Sequence, residues 1–300
     1  MVVGCSTQMG KQNIMRRINY FAPMLKSLAK YGQVWEQIKS ALERENELYD
    51  FVPNAKDIWV RDFMPFQRYD GKFLVYCYNP DYLQGKNTRY ITDCSEAFRA
   101  VCGNEMLALD FCAITDLILD GGNMIKSCDI EGCDCVIMTT KVLYENPGLS
   151  HREILNELES CLQAEVILIP WDAEEPYGHS DGMVRSIGRG NLLLNCYSEL
   201  DQNLGKAVRK ALGNRFEIQE LSYGNKFREN SWCHLNYLEL GNAVLVPVAG
   251  LASDRLAVEQ IERCIGKIGI PINMSPIISG GGAMHCISWT MYANSSHPQL

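Results

Sequence analysis

The sequence has no surplus of positive charge. Lys and Arg number 28 against 36 Asp and Glu, for a formal net charge of −8. A general nucleic-acid binder carries a basic patch and a high pI, so that class is excluded, and the acid surplus leans toward cationic small molecules. No apolar run reaches the ~20 residues of a membrane span. No Pro-, Gly- or Ser-rich linker divides the 300 residues, which argues for one domain over 1–300. The 13 cysteines lack the spacing of a disulfide framework. Odd in number and scattered through a long chain, they read as thiols in a reducing cytoplasm. "VVGC" at Val2 to Cys5 lacks the charged and apolar segments that precede a lipoprotein cleavage box.

Two further motifs are incomplete. "GCSTQMGK" (Gly4 to Lys11) has one residue too many between its glycines for a phosphate loop, and Gln12 stands where Ser or Thr belongs. "CDIEGCDC" (Cys128 to Cys135) lacks a clean second ligand pair for zinc, and its thiols straddle a hairpin-like turn. No metal and no organic cofactor is expected.

What is present is a recurring pattern. Strand-like runs begin at Phe73 ("FLVYCY"), Cys135 ("CVIMTT"), Asn191 ("NLLLNC") and Ala243 ("AVLVPV"). Each is followed by a helix-like segment, such as "REILNELESCL" with Ile154, Leu155, Leu158 and Leu162 at helical spacing. A second short strand-like run then follows: "MLALDF", "AEVILIPW", "FEIQELSY" and "IPINMSPI". The first seventy residues read as a partial version: "MVVG", a helical "NYFAPMLKSLAKYGQVWEQIKSALERE", then "LYDFVP". The pattern predicts an α/β fold of roughly five β–α–β units.

The unusual polar residues fall at one point of the unit, before the next unit's first strand. They are "DIWVRDF" (Asp57 to Phe63), "LDGGNMI" (Leu119 to Ile125), "YGHSDGMVR" (Tyr177 to Arg185), the plainer "SWCHLNYLEL" (Ser231 to Leu240) and "GGGAMHCISW" (Gly280 to Trp289). Equivalent units would gather these loops at one end of a common axis. Cys286 would then share a site with His179, Asp181, Asp62 and Asp120. A thiolate is a strong nucleophile, and a His can serve it as acid and base. Several carboxylates around one thiol oppose thiolate formation. They make sense with a cationic substrate, and a planar guanidinium matches carboxylates in bidentate pairs. Taken singly, each residue has a plainer reading: a packed thiol, a loop histidine, a surface Arg61–Asp62 pair, a turn at Asp120-Gly121-Gly122. His285 beside Cys286 is expected to point to the opposite face of an extended segment.

At these motifs the sequence resembles the agmatine deiminase and Porphyromonas-type peptidylarginine deiminase family, within the guanidino-modifying superfamily. "WVRD", "DGGN", "GHSDGMVR" and "GGGAMHCIS" resemble family motifs in the same order, and "TTKVLYENPGLSHREI" resembles a further segment. The resemblance implies a five-fold pseudosymmetric α/β propeller built from ββαβ-type repeats. It implies Cys286 as nucleophile, His179 as general acid and base, and Asp62 and Asp181 as guanidinium ligands. Asp120 stands where arginine deiminases have a Glu that orients the His. Asp120, Trp59 and Gly282 are the further expected substrate contacts. The implied reaction converts a guanidino group to a ureido group and ammonia through a thiouronium, with agmatine the first choice of substrate. Alternatives are a protein-arginine or free-arginine deiminase, an amidinotransferase, or a binding protein that senses a guanidino ligand without turnover. The expected partner is a small cationic guanidino compound, with a homodimer left open.

Overall fold

The computed structural model describes residues 16–104, 111–172 and 177–293. Among the described residues, fifteen strands form five sheets of three strands each. In chain order they are β1 (Arg16–Phe21), β2 (Leu48–Phe51), β3 (Phe66–Gln67), β4 (Phe73–Cys77), β5 (Cys112–Ile118), β6 (Ile125–Cys128), β7 (Asp134–Thr139), β8 (Glu165–Ile169), β9 (Val184–Ser186), β10 (Asn191–Leu194), β11 (Glu217–Glu220), β12 (Leu238–Glu239), β13 (Ala243–Val248), β14 (Ile268–Asn273) and β15 (Trp289–Ala293).

Each sheet repeats one connection. A short first strand pairs antiparallel with a central strand, and the central strand pairs parallel with the third. The parallel step needs a crossover, which a helix provides. One such helix, His151–Leu162, begins at a reciprocal cap: Ser150 accepts from Glu153 N–H, and Glu153 accepts from Ser150 N–H. Its Ile154, Leu158 and Leu162 are buried. The crossover helices also join neighbouring units: this helix packs on β5, Gln202–Leu212 on β8, and Gly32–Arg44 on β14.

The chain closes the ring on itself. β15 pairs antiparallel with β1, which pairs parallel with β2, so the first sheet takes one strand from the far end of the chain. Trp289 anchors that closure, stacking on Tyr20 and Phe73 and donating its indole N–H to the Pro65 carbonyl at 2.8 Å. This is the five-sheet α/β propeller that the motifs imply.

Asn19, Tyr20 and Phe21, expected to open a helix, lie in β1, because pairing on both sides overrides their local preference. Helix begins only after Pro23. "MVVG" and "GCSTQMGK" lie outside the described residues, as does all of "MLALDF" except Phe111. The third strand of that unit is β5, whose alternating "CAITDLI" follows directly. Among the described residues no helix is long and apolar enough to cross a membrane.

Candidate active site

The five polar motifs all lie between one unit's third strand and the next unit's first strand, and they converge on one end of the axis. A cleft of about 1970 Å³ opens there, lined by Trp59, Asp62, His179, Asp181, Asn236 and Cys286 among others. Gly282 and Tyr177 also face it.

The glycines are explained by close approach. A Cβ on Gly121 would meet the Arg61 carbonyl at 2.0 Å, and one on Gly122 would meet His179 Nδ1 at 2.6 Å and Asp62 Oδ1 at 2.7 Å. Asn123, the last residue of that motif, accepts from Thr139 N–H at 2.8 Å and from Ser180 N–H at 3.2 Å. It thereby ties the loop bearing His179 to the central strand β7. In the Gly-rich stretch before Cys286, a Cβ on Gly281 would lie 2.3 Å from the Tyr177 ring, and one on Gly282 would lie 2.4 Å from the Trp59 ring. The run lets the loop pack against two aromatic walls.

His179 stands between two carboxylates. Its Nε2 is 2.9 Å from Asp120 Oδ2, and its Nδ1 is 3.6 Å from Asp62 Oδ1. Burial works against its proton, but the charges of Asp62 and then Asp120 outweigh it and lift the pKa to about 10. Asp62 is pushed well above the usual carboxylate range by burial and by Asp120 and Asp181, against the pull of His179. One oxygen each of Asp62 and Asp120 is buried with no hydrogen-bond partner.

Cys286 sits 3.5 Å from Asp181 Oδ2 through its Sγ. Burial, then Asp181 and Asp62, drive its thiol well above its ordinary value. Burial works against ionised Asp181, yet the bond from His285 Nδ1 at 2.7 Å, with the charge of Arg185, holds its pKa down to about 2. Asn236 fixes the nucleophile loop: its Oδ1 accepts from the backbone N–H of His285 at 3.0 Å and of Cys286 at 3.2 Å. The Cys286 carbonyl accepts from Arg61 N–H at 3.1 Å, so the first and last motifs are hydrogen-bonded together.

Every residue expected in the site lines it or bonds one that does. His285 does not line the cleft, but its Nδ1 and the Cys286 Sγ both reach Asp181 Oδ2, and residues 284–287 form a turn and not the expected extended segment with the two side chains on opposite faces. Arg61 is not a surface partner of Asp62; it is half-buried and makes no ion pair within 4 Å among the described residues. Cys128 to Cys135 form the β6–β7 hairpin, whose turn is held by Asp129 accepting from three backbone N–H groups. Cys233 is fully buried outside the cleft. His151 is exposed, and His297 lies outside the described residues. Asn236 and Glu145 were not foreseen. Glu145 is buried, and burial with the Asp120 charge pushes its pKa up to about 8.

The model of the Porphyromonas-type peptidyl-arginine deiminases matches residues 7–291. The chain belongs to that family. Its members act on guanidino groups as hydrolases. A protein of Enterococcus faecalis named "Putative agmatine deiminase" is 25% identical over 92% of this chain and 85% of its own length. The solved agmatine deiminase of Enterococcus faecalis is similar in fold, with a TM-score of 0.69 and 19% identity over 94% of each chain. A substrate-bound agmatine deiminase of C. jejuni superposes with a TM-score of 0.65 and 15% identity over 94% of this chain and 95% of that one. The solved relatives thus share the fold found here.

Proposed function

We propose that residues 1–300 act as one hydrolase domain, on a cationic guanidino compound of the agmatine type. The carrying observation is the pairing of unpartnered buried carboxylate oxygen with a thiol and a histidine in one cleft. Asp62 and Asp181 are the guanidinium ligands in this reading. A cation there neutralises the charge that holds the Cys286 proton on, so substrate binding itself favours the thiolate. Cys286 Sγ attacks the guanidinium carbon, forming a C–S bond. His179 gives its proton to the departing nitrogen, the C–N bond breaks, and ammonia leaves a thiouronium. The same His takes a proton from water as its oxygen attacks. The C–S bond then breaks, giving the ureido product and free thiol. Asp120 orients the His179 ring through its Nε2, and Trp59 with Gly282 shapes the wall against the substrate. No metal or organic cofactor enters the scheme. The described cysteines are free thiols, in keeping with a cytoplasmic protein.

The cleft supports a second reading. Small-molecule pockets run to roughly 300–1,000 Å³, and about 1970 Å³ would also admit an arginine side chain on a peptide. Ammonia release should be measured across agmatine, arginine, methylated arginines and an arginine peptide. The agmatine-type reading requires the highest kcat/KM on agmatine. A preference for the peptide would replace it with the second reading, and release from none of them would overturn both.

A further inference from the structure

A second cavity, of about 200 Å³, lies along the axis beneath the catalytic floor. Its walls are the first strands of the sheets, β3, β6, β9 and β12, together with β15. It shares no lining residue with the cleft. Chain neighbours divide between the two: Asp62 and Cys286 face the cleft, whereas Arg61 and His285 face the axial cavity.

The charge of this cavity is opposite to that of the cleft. Arg61, Lys126 and Arg185 line it, and among the described residues none of the three has a carboxylate oxygen within 4.0 Å. Their existing contacts are thin. Arg185 lies over the Tyr237 ring at 4.5 Å, and its Nη1 is buried without a hydrogen-bond partner. Lys126 Nζ donates to the Arg68 carbonyl at 3.1 Å, and Arg61 Nε reaches the His285 carbonyl only at 3.5 Å. The one acid in the wall, Glu239, is engaged by Lys267 at 2.6 Å. His285 adds no charge, since burial and the two arginines hold its ring neutral. Burial lowers Lys126 to about 8, and burial with the Arg185 charge lowers Arg61 to about 10, against the weaker pull of carboxylates that lie beyond ion-pair distance, Asp134 and Asp70 for Lys126 and Asp181 and Asp62 for Arg61.

The three residues are half-buried, and charges withdrawn from water are ordinarily paired. Two guanidinium forks and an ammonium around a space of several water volumes match the oxygens of a small multiply charged anion. We propose that the axial cavity is a binding site for a small oxyanion of the phosphate type, held by Arg61, Arg185 and Lys126 on the far side of the floor from Cys286. The assignment does not depend on the proposed reaction, because its test reads binding and not turnover.

The test is calorimetric titration of the full chain with inorganic phosphate at pH 7, at ionic strength fixed with potassium chloride. Saturable one-site binding is expected, unchanged after Cys286 is alkylated. Lys126→Gln should weaken it about 10-fold, the loss of one charged hydrogen bond. Glu239→Gln should tighten it by removing the only acid in the wall, and it decides the matter if Lys126→Gln folds poorly. No saturable heat in the wild type, an affinity unmoved by these changes, or binding abolished by alkylation of Cys286 would overturn the assignment.

Discussion

His179 and His285 are both buried, and each holds a carboxylate at hydrogen-bond distance, yet their protons are driven in opposite directions. His179 faces a second carboxylate, Asp62, and keeps its proton to about pH 10. His285 has Arg61 and Arg185 behind it and stays neutral far below its ordinary 6.5. Burial depresses both, so the bonded Asp alone does not decide the outcome. The sign of the second neighbour does. The floor of the propeller therefore separates an acidic cleft from a basic axial cavity, with motif neighbours facing opposite ways. The cleft side suits proton transfer, and the axial side keeps Asp181 ionised.

The largest effect should come from the residue at that boundary. Cys286→Ala is expected to cost several orders of magnitude in turnover while the chain stays folded. Near-normal ammonia release from the purified variant would end the covalent scheme.

Next in size is the removal of one acid from beside His179. Asp120→Asn takes away the partner of Nε2 and part of the field that holds the proton. A loss of roughly 10²–10⁴-fold, the span of general acid catalysis, is expected in kcat. The alkaline limb of the pH profile should also move to lower pH, because the ring would release its proton earlier. A large loss with an unmoved limb would assign Asp120 a packing role only.

Asp181→Asn sharpens the contrast by giving two readouts of opposite sign. It removes a charge-assisted acceptor from the guanidinium, which should cost about 10- to 150-fold in kcat/KM. It also removes the negative charge 3.5 Å from the Cys286 sulfur. The thiol pKa should fall, so a neutral alkylating reagent should label Cys286 faster in the variant at pH 7. In the wild type that labelling should be slow at pH 7 and rise through pH 9, because the thiol lies above its ordinary value. An amidine-bearing reagent, which brings its own cation, should label the wild type much faster. Equal rates for the two reagents would mean that no carboxylate field surrounds the thiol.

The fold and the cleft were legible in the sequence where they depend on rare local chemistry. Gly121-Gly122 and Gly281-Gly282 stand out because a single Cβ would strike the Arg61 carbonyl, His179, Asp62, Tyr177 or Trp59. The central strands β4, β7, β10 and β13 are buried and read as apolar runs. The strand at Asn19 to Phe21 was hidden because its first partner, β15, lies some 270 residues away in the chain, as the pairing of Tyr20 with Trp289 shows. Asn236 was hidden for a different reason. It acts by accepting two backbone N–H groups, a task that leaves no mark on composition or periodicity. Arg61 adjoins Asp62, and adjacency in sequence reads as ion pairing. Only the turn of the backbone sends the Arg61 side chain to the other side of the floor.

The smallest effect tests the axial side alone. A neutral buried His285 must gain a proton on unfolding in acid, so the unfolded chain binds more protons than the folded one below pH 6.5. The stability that comes from keeping this ring neutral is present above that pH and is lost as pH falls through and below it. One such proton contributes a slope of at most about 1.4 kcal/mol per pH unit. His285→Gln keeps an amide donor near Asp181 but has nothing to titrate. Its unfolding free energy should therefore fall less steeply between pH 7 and pH 5 than that of the wild type, even if it is lower at pH 7. Asp181 does not blur this comparison: its folded pKa of about 2, below the ordinary 3.8, sheds stability only in stronger acid. Denaturant melts at several pH values measure both slopes. Parallel curves would show that His285 titrates alike in the folded and unfolded chain, and the two histidines would then no longer differ by the charge behind them.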